Sequence, residues 1–246
     1  MSSTITPHTA ETETPSQGAL RSRSSHLRFW LPAVGILWLD LGSKAWVFRN
    51  LHPEESHTAI QGVLEFRRSL NDGAVFGSFS GYAGVFIVAS LFALGFVLYL
   101  FINSSARQRV LHVSLAMILA GALGNLYDRA FVTADVARYE DKGSGRTVSF
   151  IGIIVEENAD SVRLGHWPDG QEPRAFQRSQ VELRRQGVVR DFLRFVLKFP
   201  NSFPRIGGME VWPWIFNVAD AALVCGVSLL LLTSLFERGR HESPIE

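Results

Sequence analysis

Apolar residues in this chain gather into four blocks, each close to the length that crosses a hydrocarbon layer, with polar stretches between them. The blocks are "FWLPAVGILWLDLGSKAWVF" (Phe29 to Phe48), "YAGVFIVASLFALGFVLYLFI" (Tyr82 to Ile102), "VLHVSLAMILAGALGNLY" (Val110 to Tyr127) and "FNVADAALVCGVSLLLLTSLF" (Phe216 to Phe236). A bilayer core of about 30 Å takes about 20 helical residues. The pattern therefore predicts an α-helical membrane protein of four transmembrane helices, over residues 29–48, 82–102, 110–127 and 212–236, the last starting near Trp212. The second block carries no charge at all.

The segments between the blocks set the organisation. Residues 1–27 are rich in Ser, Thr, Glu and Pro, too poor in apolar surface to offset ordering entropy, and are expected to be a disordered tail. Asp40 and Lys44 interrupt the first block and a long polar stretch precedes it, so it reads as an anchor rather than a cleaved signal peptide. Arg21, Arg23 and Arg28, then Arg107 and Arg109, then Arg238 and Arg240 flank the blocks on one side, which the positive-inside bias makes cytoplasmic. Residues 237–246 form a second cytoplasmic tail, and residues 49–81 and 128–211 fall outside.

Within the second outer segment, "TVSFIGIIVEENADSVRLGHW" alternates, is β-branched and turns at "ENAD", which predicts a strand pair. In "VVRDFLRFVLKF", Val188, Phe192, Phe195 and Phe199 share a helical face, which predicts an amphipathic helix lying in the interface. The expected plan is a membrane domain over residues 28–236 holding a small extracytoplasmic, β-containing insert at 130–186.

Composition narrows the chemistry. A net charge of +1, with no basic patch interleaved with aromatics, excludes nucleic acid as a partner. The single cysteine, Cys225, excludes an intramolecular disulfide and a cysteine zinc site. No HExxH, GxxxxGK[ST] or GxSxG occurs, and the seven histidines show no ligand spacing along the chain. No metal or organic cofactor is expected, and carboxylates remain as the candidate chemistry.

Charges at membrane depth cost roughly 2.5–3.5 kcal/mol each even on lenient scales, so those present face a protein interior. Asp40 and Lys44, four apart, are expected to pair on one helical face. Gly121, Gly124, Asn125 and Asp128 make one stripe, with small residues for close helix approach and polar ones for hydrogen bonds. Asn217 and Asp220 share a face of the fourth block. "NDGAVFGSFSG" (Asn71 to Gly81) is a glycine-punctuated loop with aromatic residues. Two carboxyl groups about 3 Å apart share a proton, one activating water and the other polarising a carbonyl. For Asp220 the partner is Asp40, Asp72, Asp128 or Asp191, and composition does not choose. Two other readings stand beside acid–base catalysis by paired carboxyl groups: a small proton- or ion-coupled transporter using Asp40, Asp128 and Asp220, and a non-catalytic assembly factor.

In chain order, "LDLGSKAWV", "NDGAVFGSF", "GALGNLYDR", "GVVRDFLRF" and "FNVADAAL" together resemble the lipoprotein signal peptidases, or signal peptidase II, over about residues 29 to 236. The resemblance implies a four-span aspartic protease of the bacterial cytoplasmic membrane. It would remove the signal peptide of diacylglyceryl-modified prolipoproteins, cutting before the lipidated cysteine, as a monomer in membrane lipid. It implies Asp191, in the G-x-V-x-D-F motif, and Asp220, in F-N-x-A-D, as the catalytic pair. Asn71, Gly73 and Phe76 match the N-x-G-x-x-F loop; Gly124, Asn125, Asp128 and Arg129 match G-N-x-x-D-R; Asp40 and Lys44 match D-x-x-x-K; and Asn217 lies beside the second aspartate. The chain departs from the family by the stretch from Ala130 to Gln186, which separates D-R from G-x-V-x-D-F, and Asp128 is the second choice for the first catalytic aspartate.

Overall fold

The computed structural model describes residues 18–73, 83–141, 143 and 145–241. Among them are four long α-helices: α1 (Arg23–Asn50), α2 (Ala83–Ile102), α3 (Arg109–Phe131) and α4 (Val218–His241). By length and composition, α1, α3 and residues 218–236 of α4 are able to cross a membrane, and residues 87–102 of α2 form a shorter apolar helix. Two starting points differ from expectation. Helix α1 begins at Arg23 with Ser22 as its cap, so residues 18–27 of the expected tail are structured, while 1–17 lie outside the described residues. Helix α4 begins at Val218 rather than near Trp212, because Pro213 disfavours helical geometry at the residue before it and supplies no N–H.

Helix α3 is central and packs against α1, α2 and α4. Its small residues allow this. A Cβ on Gly124 would lie 2.5 Å from Asp40 Oδ2, and one on Gly121 would meet the Ala219 carbonyl and Leu223, so α4 approaches to backbone contact and the Asp40 side chain of α1 fills the space at Gly124. Phe29, Phe101, Leu115, Ala116 and Leu119 fill the core between α1, α2 and α3. Large apolar side chains such as Trp38, Phe92 and Leu231 point outward and uncovered, as lipid-facing residues do.

The expectation of an all-helical domain with β-structure confined to an insert is corrected, for two antiparallel sheets are present. The first is built from β1 (Ser56–Ile60), β2 (Leu64–Asn71), β8 (Val189–Phe195) and β9 (Ile215–Phe216), in the order β1-β2-β8-β9. The second contains β3 (Thr133–Asp141), β4 (Arg146–Glu157), β5 (Ser161–His166), β6 (Gln171–Gln177) and β7 (Glu182–Gly187), in the order β6-β5-β4-β3-β7. The expected strand pair is β4 and β5, turning at residues 158–160.

The expected amphipathic helix over 188–199 is instead strand β8. Its β-branched and aromatic residues suit a strand as well as a helix, and β2 supplies the hydrogen-bonding edge, pairing Ser69 with Asp191, Leu70 with Arg190 and Asn71 with Val189. The five-stranded sheet is open, with β6 and β7 at its edges, but it brings its two chain ends together. Its first and last strands along the chain, β3 and β7, pair, Thr133 opposite Gly187, and the Val188 N–H donates to the Val132 carbonyl at 2.9 Å. The chain thus leaves α3 and re-enters β8 at nearly one point, and the intervening stretch does not separate Asp128 from β8.

Candidate active site

The start of α4 is fixed by its own sequence. Asn217 is the residue before the helix; its Oδ1 accepts from the Asp220 N–H at 2.9 Å, while the Asn217 N–H donates to Asp220 Oδ2 at 3.1 Å. This is a reciprocal capping box, which places a carboxylate at the positive end of the helix dipole. Asp40 of α1 adds a third cap, its Oδ1 accepting from the Ala219 N–H at 2.9 Å. The F-N-x-A-D stretch therefore folds locally into a helix start that leaves Asp220 half-buried with Oδ1 facing α3.

Across from it, β8 carries Asp191, 2 % exposed. Asn217 Nδ2 donates to Asp191 Oδ1 at 2.6 Å and Asn71 Nδ2 donates to Asp191 Oδ2 at 3.1 Å. Asn125 of α3 completes the chain of contacts, its Nδ2 donating to Asp220 Oδ1 at 2.7 Å and its Oδ1 accepting from Asn217 Nδ2 at 3.1 Å. Three asparagines from β2, α3 and the head of α4 thus hold the two carboxyl groups of Asp191 and Asp220. Burial first, and the negative charge of Asp220 second, push the Asp191 carboxyl up to about 8; the Asn71 and Asn217 amides pull the other way. Asp191 therefore holds a proton more readily than an exposed carboxyl group does.

Beneath the pair lies a closed ionic network. Lys44 Nζ lies 2.7 Å from Asp40 Oδ2 and 3.4 Å from Asp128 Oδ2, with all three side chains wholly buried. Asp128 Oδ1 accepts from Arg190 Nη2 at 2.6 Å and Nε at 3.1 Å, and its Oδ2 accepts from the Arg190 backbone N–H at 2.9 Å. Two acids face two bases, which is how buried charge is tolerated. The network ties α1, α3 and β8 together under Asp191. Asp128 is thereby engaged by ion pairs on both oxygens, whereas Asp191 and Asp220 accept hydrogen bonds from asparagine side-chain amides and, for Asp220, from the Asn217 backbone N–H.

The remaining candidates fall as follows. Asn71 Oδ1 accepts from the Gly73 N–H at 2.9 Å, and Gly73 has φ +91°, a conformation that glycine alone adopts freely. This turn orients the Asn71 amide toward Asp191. Gly124 gives Asp40 the room to reach α4. Arg129, in the last turn of α3, is in electrostatic contact with Asp220, Asp191 and Asp128. Phe76 lies outside the described residues. Asp72, an early candidate partner for Asp220, instead lies 3.7 Å from Arg138 of β3.

Arg190 was not singled out by the sequence. The signal for it is physical: a buried Asp128 with one lysine already shared needs another cation, and on a strand the residue beside Asp191 points the opposite way. Gly187 has a backbone role, since a Cβ there would collide with the Arg129 carbonyl. A cleft of about 400 Å³ lined by Phe48, Arg67, Arg68, Ile151, Trp167 and Arg174 lies between β2 and the second sheet, and it contains neither Asp191 nor Asp220.

Residues 32–236 match the family described as signal peptidase (SPase) II. The chain belongs to the signal peptidase II family. That family is one of aspartic proteases, in keeping with a site made of two carboxyl groups. Similar proteins include the lipoprotein signal peptidase of Syntrophomonas wolfei subsp. wolfei, 27% identical over 217 residues, which cover 88% of this chain and 98% of that one. The lipoprotein signal peptidase of Desulfitobacterium hafniense (strain DSM 10664 / DCB-2) is 25% identical over 209 residues, 85% of this chain and 93% of its own. The fold resembles a bacterial membrane enzyme solved by the in meso method at 2.3 Å resolution, with a TM-score of 0.55, 20% identity, and 88% of this chain and 93% of that chain covered. Membership of the signal peptidase II family sets aside the ion-coupled transporter.

Proposed function

We propose that this signal peptidase II acts at the outer boundary of the bacterial cytoplasmic membrane, removing the signal peptide of diacylglyceryl-modified prolipoproteins by cutting before the lipidated cysteine. The observation that carries this reading is the convergence of Asp191 and Asp220 on one asparagine, Asn217, at the junction of a strand and a membrane-crossing helix.

Asp220, ionised, takes a proton from a water molecule, and the resulting hydroxide bonds to the scissile carbonyl carbon. Asp191, protonated, donates a hydrogen bond to the carbonyl oxygen as negative charge develops there. The tetrahedral intermediate collapses, the C–N bond breaks, and a proton returns to the amino group of the lipidated cysteine as it leaves. The asparagines and Arg129 orient carboxyl groups and peptide. Asp40, Lys44 and Asp128 brace the elements that carry the pair. Asn71, Gly73 and Phe76 are assigned to substrate binding on the match of their motif to the family. No metal or cofactor enters this chemistry.

In this arrangement α1, α2, α3 and α4 are four spans, the tails at 1–27 and 237–246 are cytoplasmic, and the stretch from 130 to 186 is an extracytoplasmic module. The acyl chains of the substrate stay in lipid while its peptide reaches the carboxyl groups, and one chain suffices. Purified protein in micelles, given a prolipoprotein with and without its diacylglyceryl group, is expected to release a signal peptide ending just before the cysteine, and only from the lipidated form. Equal cleavage of the unlipidated form, or cleavage elsewhere, contradicts the reading.

A further inference from the structure

Away from the aspartate pair, three metal-ligating side chains, Glu54, His166 and Glu172, meet at one point, and a fourth, His52, lies beside Glu172. His166 is the last residue of β5, and Glu172 lies in β6 across the hairpin turn; His52 and Glu54 lie between α1 and β1. The His166 Nε2 lies 3.1 Å from Glu54 Oε1 and 3.9 Å from Glu172 Oε2, and His52 Nε2 lies 3.8 Å from Glu172 Oε1. One ligand atom each from Glu54, His166 and Glu172 fall within 4.8 Å of one another. Around a tetrahedral ion with bonds of about 2.0–2.2 Å, neighbouring ligand atoms lie roughly 3.4 Å apart. The observed separations bracket that value.

The orientation of His166 sets this cluster apart from an ordinary surface ion pair. Its Nε2 is buried and makes no hydrogen bond, although a carboxylate oxygen lies 3.1 Å away. The two atoms are therefore not aimed along an N–H···O line, as a hydrogen-bonded pair would be. The ring itself is fixed by packing on Phe150, with centroids 5.3 Å apart. Arg174 is a neighbouring cation, its Nη2 3.3 Å from Glu54 Oε1 and its guanidinium 5.1 Å over the Phe150 ring, with more than half of its side chain exposed.

We propose that His52, Glu54, His166 and Glu172 bind one divalent transition ion of the zinc class, which clamps the segment after α1 to the β5–β6 hairpin. Two imidazoles and two carboxylates suit such an ion, where carboxylates alone would favour calcium or magnesium. The histidine spacing gives no hint of it along the sequence because His52 and Glu54 are separated from His166 and Glu172 by the whole stretch that holds β1, β2, α2, α3, β3 and β4. A clamp here joins the five-stranded sheet to the rest of the chain and closes one wall of the neighbouring cleft, whose lining includes Glu54 and His166. The proposal is independent of the peptidase reading.

The test uses the tag-free full chain in micelles, stripped with a chelator and titrated with zinc by calorimetry and with cobalt by visible absorption. The expected result is one ion per chain and a tetrahedral cobalt spectrum. Affinity should fall at least about tenfold in His166→Ala and in Glu172→Gln, since even outer partners of metal ligands are worth that much. His52→Ala, on a more exposed side chain, guards against a folding defect in His166→Ala, and retained cleavage activity checks the fold of each. Arg174→Ala should bind zinc at least as tightly as the parent. Zinc binding that is absent, or that survives unchanged in His52→Ala and Glu172→Gln, overturns the proposal and leaves the four groups as an ion-pair cluster.

Discussion

Asn217 donates its side-chain amide to Asp191 at 2.6 Å, joining the head of α4 to a carboxyl group on β8. The same residue caps the helix that carries Asp220. One side chain therefore links helix stability to the geometry of the pair. Asn217→Ala removes the cap, worth about 1 kcal/mol, and leaves Asp191 Oδ1 without its donor. Expected outcomes are a lower melting temperature in micelles and a cleavage rate that falls by far more than the stability change explains. Unchanged cleavage would contradict the assignment.

The raised Asp191 carboxyl gives a pH signature. Its value is 3.8 in an unfolded chain and about 8 in the folded one, so between those limits the native state binds more protons than the unfolded state. Stability contributed by this group is therefore fully present below about pH 4 and is lost as pH rises through about 8, at up to about 1.4 kcal/mol per pH unit. Melting temperatures between pH 5 and pH 8.5 should fall more steeply for the parent than for Asp191→Asn. Cleavage, which needs one proton on the pair, should decline on the alkaline side near the same pH. Equal slopes for the two proteins would contradict the burial argument.

Arg190 neutralises a wholly buried carboxylate. Arg190→Ala removes both guanidinium contacts to Asp128, and breaking one partner of a buried pair costs about 3–5 kcal/mol. Arg190→Lys should rescue little, because lysine lacks the fork that contacts Asp128 through both Nε and Nη2. Chemical denaturation in micelles measures both, and full recovery by lysine would show that charge alone matters.

Gly187 sits where the second sheet rejoins β8, its Cα facing the Arg129 carbonyl. Gly187→Ala pushes backbone against backbone, so a loss of about 1–3 kcal/mol is expected, along with weaker cleavage as β8 shifts. Gly145→Ala, in the open turn before β4, strains only its own φ of +63° and should leave cleavage intact. Thermal scans with parallel cleavage assays separate the two.

The helices were legible because long apolar blocks announce themselves by length. The Asp40–Lys44 pair was legible because its spacing is that of one helical turn, and Asn217 and Asp220 were legible as neighbours on one face though not as a helix cap, since the helix was expected to start near Trp212. What the sequence hid is non-local. The residues from Val188 to Phe199 carry strand and helix character together, and only β2, whose Asn71 lies 120 residues from Asp191, decides between them. Arg190 was hidden for the same reason, since its partner Asp128 lies 62 residues away. The resemblance to signal peptidase II pointed to Asp191 where spacing alone left four candidates. The geometry adds why Asp128 differs: both of its oxygens are already bound by Arg190.

The most direct measurement is cleavage of a lipidated prolipoprotein by Asp191→Asn, Asp220→Asn and Asp128→Asn, each checked for folding by its melting curve. Loss of either member of the acid–base pair should lower the rate by at least about 10²–10⁴-fold while the protein stays folded, whereas Asp128→Asn should lose rate in proportion to lost stability. Normal cleavage by Asp191→Asn beside an inactive, folded Asp128→Asn would contradict the account.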